Sequence, residues 1–109
     1  MNTMQNNVQL IGHLGRNPEV KTLNNGNKVA KLLLATSEYR KNDKGEKQTH
    51  TTWHNVCAWG NAATIAEKFL IKGKKIAING KLSNRMYTDA TGIKRYYTEV
   101  IISELQMIA

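Results

Sequence analysis

Apolar and polar residues alternate along most of this chain, and the breaks between alternating stretches are marked by glycine and asparagine. Val8, Leu10 and Leu14 fall on one side of the first segment and Gln9 and His13 on the other, the period of a strand with one covered face. Gly15-Arg16-Asn17-Pro18 ends it, and Asn24-Asn25-Gly26-Asn27 suits the positive φ angles of a tight turn. Val29 to Thr36 is apolar enough for a strand covered on both sides. Ser37 to Thr52 is polar and lysine-rich around an Asn42-Asp43-Lys44-Gly45 turn, which predicts a long protruding hairpin or a mobile arm.

A third strand runs from about Thr52 to Gly60. Asn61 then fits a helix N-cap, Ala62, Ile65, Ala66 and Phe69 recur at helical spacing, and Gly73 closes the element, with Lys68 and Lys72 near its C-terminal end. Phe69 is expected in the core of that helix. Lys74 to Tyr87 reads as a strand with Ile76, Ile78 and Leu82 inward, and Asp89-Ala90-Thr91-Gly92 turns into a last strand from about Ile93 to Ile102. Five strands with one helix between the third and fourth is the layout of the OB fold, a small Greek-key barrel carrying here a long hairpin arm. The class is all-β with one helix, and residues 1–109 form one domain. In the last strand Val100, Ile101 and Ile102 are all apolar, so alternation does not separate the core face from the outer one. Ile101 and Leu105 are surplus apolar positions that another subunit would cover.

Charge narrows the function. The chain carries 16 Lys plus Arg against 8 Asp plus Glu, a formal +8, which in a folded domain points to an anionic partner and most simply to nucleic acid. No apolar run approaches the roughly 20 residues of a membrane span, no secretory leader is readable, and the single cysteine, Cys57, agrees with a reducing, cytoplasmic setting. Metal and hydrolytic chemistry find no support. His54 and Cys57 point to opposite faces of one strand, His50 and His54 lie too far apart to share an ion, and the carboxylates are scattered. No enzyme, metal or cofactor is expected.

Stacking chemistry is better placed. Trp53, Asn55, Cys57 and Trp59 share one parity and His54, Val56 and Ala58 the other, which sets both indoles on one surface about 20 Å apart at roughly 3.3 Å per residue. If Val56 and Ala58 line the barrel, the tryptophans face outward; core or interface tryptophans are the competing reading. Outward indoles suit unpaired bases, since every base has a π face and each stack is worth about 1–3 kcal/mol whatever the sequence. Tyr87 shares the parity of Lys81 and Arg85, and Tyr39 sits at the root of the arm beside Arg40 and Lys41. Rings would take bases while Arg40, Lys41, Lys44, Lys47, Lys81 and Arg85 neutralise phosphates; for any single arm residue a solubilising role competes with phosphate contact. Tyr96 and Tyr97 must point opposite ways, so at least one is expected inside the barrel.

Several stretches resemble the bacterial single-stranded DNA-binding protein family: Thr52 to Ala63 through Trp53 and Trp59, Ile65 to Gly73, Ile78-Asn79-Gly80-Lys81-Leu82, Gly12 to Glu19, Leu34 to Glu38, and Tyr97-Thr98-Glu99-Val100. The resemblance covers nearly the whole chain. It implies an OB fold, a homotetramer built as a dimer of dimers, and non-catalytic wrapping of single-stranded DNA during replication, recombination and repair at the nucleoid. By position Trp53, Trp59 and Tyr87 match the family's stacking aromatics, and Tyr39 stands where another is found, at slightly altered spacing. Such relatives usually continue into an acidic tail that recruits replication and repair proteins, whereas this sequence stops at Gln106-Met107-Ile108-Ala109. The competing functions are a primosome-type OB adaptor in replication restart and a general RNA-binding OB module, the latter distinguished by a preference for RNA.

Overall fold

The computed structural model describes residues 5–108. Its elements in chain order are β1 (Val8–Leu14), β2 (Glu19–Thr22), β3 (Lys28–Lys41), β4 (Lys47–Trp59), α1 (Asn61–Phe69), β5 (Lys75–Thr88) and β6 (Lys94–Met107). The sheet runs β1-β5-β6-β4-β3-β2, and an extra pairing of β1 with β3 closes five of the strands into the expected barrel. Closure is made at two short seams. His13 and Leu14 pair with Ala35 and Leu34 on one side, while Val56 and Cys57 pair in parallel with Val100 and Ile101 on the other.

The sixth strand, β2, is missing from the sequence reading. Only Val20 among its residues is half-buried, so Glu19-Val20-Lys21-Thr22 shows no apolar face; it is held as an edge by antiparallel pairing with Lys28 to Lys31 of β3. The arm is the hairpin alternative, since β3 and β4 stay paired from Val29–Trp59 out to Lys41–Lys47. β4, the strand expected from about Thr52, therefore starts five residues earlier, at Lys47. At the tip Asn42 Oδ1 accepts the amides of Lys44 and Glu46.

Inside the barrel, Leu14, Ala30, Leu32, Leu34, Val56, Ala58, Ile76, Ile78, Val100 and Ile102 form one core with Ala63, Ala66 and Leu70 of the helical segment. This settles the ambiguity in the last strand: Val100 and Ile102 face in and Ile101 is half-exposed outside. Along β3 Ala30, Leu32 and Leu34 face in, while on the outer side Val29 is buried but Leu33 and Ala35 are half-exposed, so past Val29 that strand has one open face instead of two covered ones.

Four further expectations are corrected. The helix buries Ala63 and Ala66, with Leu70 buried just past its end, a stripe turned by one residue from the one read in sequence, and Phe69 is 58% exposed. Its N-cap is Gly60, at φ 61°, not Asn61, and no side chain caps the helix. The left-handed backbone of Gly60 reverses the chain directly between β4 and α1, a conformation that glycine adopts at little cost. The helix ends at Phe69, so Lys72 lies beyond it, donating its backbone amide to Asn17 Oδ1 at 2.8 Å. Leu82, although in phase with Ile76 and Ile78, is half-exposed, because the pairing of β5 with β1 ends at Gly80.

β5 and β6 continue as a second hairpin. Asn79 stands opposite Glu104 and Gly80 opposite Ile102, which leaves Ser103 as the extra residue of a bulge where the hairpin bends away from the barrel. Asp89 ties the hairpin tip: Oδ1 accepts from the Thr91 hydroxyl and the Ile93 amide, and Oδ2 from Arg95 Nε at 3.0 Å. The Thr91 hydroxyl, then the Arg95 guanidinium and the Ile93 amide, hold its carboxyl at about 2, below the ordinary 3.8. A depressed carboxylate stabilises the fold above the ordinary value and loses that contribution as pH falls through the depressed one. Acid titration followed at the Thr91 and Ile93 amides should therefore show the tip intact at pH about 4 and loosening toward pH about 2, and Asp89→Asn should remove that dependence.

Candidate nucleic-acid interface

Strand alternation fixes one continuous outer surface. On β3 and β4 it carries, as cross-strand pairs, Val29–Trp59, Lys31–Cys57, Leu33–Asn55, Ala35–Trp53, Ser37–Thr51, Tyr39–Thr49 and Lys41–Lys47. The parallel seam places Ile101 beside Cys57, and the β5–β6 register continues the surface through Lys81–Ile101, Ser83–Glu99, Arg85–Tyr97 and Tyr87–Arg95. Trp53, Trp59, Tyr39, Tyr87, Lys41, Lys47, Lys81 and Arg85 therefore share one face. Trp53 is 56% and Trp59 47% exposed, with Val56 and Ala58 of the opposite parity sealed in the core, so both indoles point away from the barrel interior.

Two basic residues of the arm lie elsewhere. Arg40 has the opposite parity to Tyr39 and is paired with Glu38 at 3.2 Å, on the other side of the arm. Lys44 is part of the tip turn. Lys47, by contrast, sits with its ammonium 4.4 Å from the Tyr39 ring centroid, so the arm presents an aromatic ring and a cation as one unit.

Trp53 is set by a glycine. A Cβ on Gly15 would lie 2.4 Å from Trp53 Cζ3, so the indole packs directly over the backbone that follows β1. Behind it, on the opposite face, Thr36 Oγ1 and His54 Nε2 are 2.9 Å apart. Gly15→Ala must push the indole off this seat. The expected result is loss of the Trp53 stack, about 1–3 kcal/mol of affinity for an oligonucleotide, with Trp59 unaffected. Titrations of Gly15→Ala in the natural and Trp53→Ala backgrounds check this, since the glycine change should cost nothing once Trp53 is absent.

Nearer β6 the face changes character. Lys31, Arg85, Tyr87 and Tyr97, with Met86, line a groove of about 430 Å³. Neither Tyr96 nor Tyr97 is a barrel residue: Tyr97 is half-buried on the outer face beside Arg85, and Tyr96 is exposed on the reverse of the hairpin. The reason is that both belong to the part of β6 that extends beyond the barrel. Burial pushes the Tyr97 phenol up, with nearby Glu99 adding to the effect. Cys57 has the parity of the tryptophans yet is buried, and desolvation, then Glu99, raises its thiol. A thiol so disfavoured as thiolate is an inert packing group.

Gly15, Lys31, Tyr97 and Glu99 are members of this surface that the sequence reading did not assign. Lys31 had a signal: it is a lone cation inside an apolar strand, and its parity is that of Tyr39. Glu99 had none, because nothing in sequence distinguishes a buried carboxylate from a solvated one.

Comparisons with known proteins bear on the family and the fold. The model of the "Single-strand binding protein family" matches residues 5–108. The chain is 42% identical over 104 residues to single-stranded DNA-binding protein 1 of Chlorobaculum tepidum, a match that takes in 94% of this chain and 64% of that protein. The Plasmodium falciparum SSB in complex with ssDNA superposes with a TM-score of 0.86 at 31% identity, over 100% of both chains. A deletion mutant of the single-stranded DNA binding protein from Thermus aquaticus gives 0.82 at 25% identity, covering 95% of this chain and 50% of that one.

Proposed function

The chain belongs to the single-strand binding protein family, and from that premise we propose that it is a non-enzymatic binder of single-stranded DNA that takes up the strand along the outer face of its barrel without reading sequence. The observation that carries this is the pair of half-exposed indoles on one face of β4, flanked by lysines in a chain of net charge +8. Trp53, Trp59, Tyr39 and Tyr87 stack bases; Lys41, Lys47 and Lys81 neutralise the phosphates between them, and Lys44, in the turn at the arm's tip, is left out of the set. Arg40 is left out of the set, because it points to the other side of the arm and is tied to Glu38.

The protein's role in this reading is to protect exposed strands during replication, recombination and repair at the nucleoid. It acts as a homotetramer, a dimer of dimers. Support for paired subunits comes from β1: it is bonded to β5 along Val8 to His13, but to β3 only at His13 and Leu14, so among the described residues its other edge from Val8 to Ile11 is open to a second strand. Ile11, exposed on the outer face of that same β1–β5–β6 sheet, is an apolar residue a subunit contact would cover.

The test is a tryptophan-emission titration with oligo-dT at two ionic strengths, run beside a molar-mass measurement. Binding should quench emission, weaken as salt rises through counterion release, and change little when base order is changed. Emission indifferent to the oligomer would overturn the reading. A dimer with a short binding site would favour the replication-restart adaptor, and preference for RNA would favour the RNA-binding module.

A further inference from the structure

We propose that Arg85, clamped by the buried carboxylate of Glu99 and laid over Tyr97, is a flat stacking platform for a nucleobase and not a phosphate contact, and that Glu99 is its positioning residue. The proposal rests on the single-strand reading of the outer face and adds a subsite to it. Glu99 is 4% exposed, the one buried charged residue among those described, and it lies on the face that a polyanion would approach.

A carboxylate there repels phosphate and is costly to bury unless a partner satisfies it. Arg85 is that partner, with Nε 3.2 Å from Glu99 Oε1. The guanidinium carbon is 5.5 Å from the centroid of the Tyr97 ring. One side of the guanidinium is thus backed by an aromatic ring and one edge is held by a carboxylate, while the rest, 54% exposed as a side chain, borders the groove that Lys31 and Tyr87 also line. Arginine presents a planar, weakly hydrated cation that stacks on π faces, which an ammonium does not. A base entering the groove meets that plane with Tyr87 alongside. A phosphate would meet a neutral pair, because the Glu99 charge cancels the Arg85 charge at close range.

The distribution of ion pairs over the whole chain points the same way. Every arginine is engaged: Arg16 with Glu19, Arg40 with Glu38, Arg85 with Glu99 and Arg95 with Asp89. Among the described residues Lys28, bonded to Glu67, is the only lysine so paired. The cations left free to release counterions are lysines, and on this face they are Lys31, Lys41, Lys47 and Lys81.

The experiment compares affinity for a dT oligomer over a salt series in the natural protein and in Arg85→Lys, Arg85→Ala, Glu99→Gln, the double Arg85→Ala/Glu99→Gln variant and Lys81→Ala. Arg85→Lys keeps the charge and loses the plane, so it should weaken binding severalfold, nearly as much as Arg85→Ala, and neither should change the slope of log affinity against log salt. Lys81→Ala should make the slope shallower by about 0.7. Glu99→Gln frees Arg85 to meet phosphate and should steepen the slope, an effect that must vanish in the double variant. A merely structural Glu99 would not move the slope in this paired way. Arg85→Lys with natural affinity, or Arg85→Ala with the slope change of Lys81→Ala, overturns the proposal. Either result with the natural protein still binding dT leaves the single-strand reading intact, whereas loss of binding by the natural protein itself would remove that reading first.

Discussion

Replacing Trp53 and Trp59 together by alanine is expected to lower affinity for a dT oligomer by at least about thirtyfold. The size follows from two stacks of about 1–3 kcal/mol each, with about 1.4 kcal/mol for every factor of ten. Stability should barely respond, because both indoles are about half-exposed and the residues that seal the barrel beneath them, Val56 and Ala58, are untouched. That contrast separates the account from the competing reading in which tryptophans are core residues: truncating a buried Trp costs about 3–5 kcal/mol of folding free energy. Each single variant should fall between the double variant and the natural protein, with the salt slope unchanged in all three, since no cation is lost. Equilibrium titrations at fixed salt, paired with urea denaturation of the free proteins, measure both sides.

The largest effect on the fold itself is expected at Gly80. A Cβ at this position would lie 2.1 Å from the carbonyl oxygen of Ile101 and 3.2 Å from the Cα of Ile102. Both neighbours are backbone of β6 and cannot rotate away as a side chain would. The clash falls beside the bulge at Ser103, where β5 and β6 must stay in register for Ile78 and Ile102 to reach the core. Overpacking typically costs 1–3 kcal/mol, and a contact on rigid backbone in a closed barrel belongs at the upper end, so Gly80→Ala should cost about 3 kcal/mol. It should weaken DNA binding mainly through the unfolded fraction, since the atoms the Cβ meets are backbone of Ile101 and Ile102 and none belongs to a stacking aromatic. Chemical denaturation reads the first effect; a titration at a temperature where the variant is fully folded reads the second. A cost below about 0.5 kcal/mol, the range of an ordinary surface change, would mean that β5 and β6 do not approach as described.

What was readable in the sequence, and what was not, divides along the barrel's rim. Within the barrel alternation is a good guide, although Cys57 and Val29 are buried at outward positions: Val8, Leu10 and Leu14, the core residues Val56 and Ala58, and the outward tryptophans are all where their parity puts them. Past the rim there is no interior for an inward parity to face. Leu82 and Tyr96 are in phase with core positions and end up exposed, while Tyr97 and Glu99 are covered on the outer side by neighbours across the hairpin.

Short or rotated elements fail for other reasons. β2 has too few residues to show a period, and the Arg16 to Pro18 break hides its start. In α1 the stripes Ala62–Ile65–Ala66–Phe69 and Ala63–Ala66–Leu70 are both apolar, and only docking on the barrel chooses between them. For the interface, Trp53, Trp59, Tyr87 and Lys81 are legible from parity, and Tyr39, Lys41 and Lys47 only from their place in the basic arm, whereas the pairing of Arg85 with Glu99 depends on a β5–β6 register that a single sequence does not fix.

In the proposed binding mode the strand crosses β3 and β4 and turns onto β5 and β6, touching Tyr39, Trp53, Trp59 and Tyr87 in one continuous contact. Photo-crosslinking of a dT oligomer substituted with bromodeoxyuridine, followed by peptide mapping of the adducts, tests it directly. The account predicts adducts at Trp53 and Trp59, with further ones at Tyr87 and Tyr39. Adducts concentrated instead on the reverse of the hairpin, at Tyr96, or on the β1–β5 face around Ile11, with both tryptophans unmodified, would contradict it.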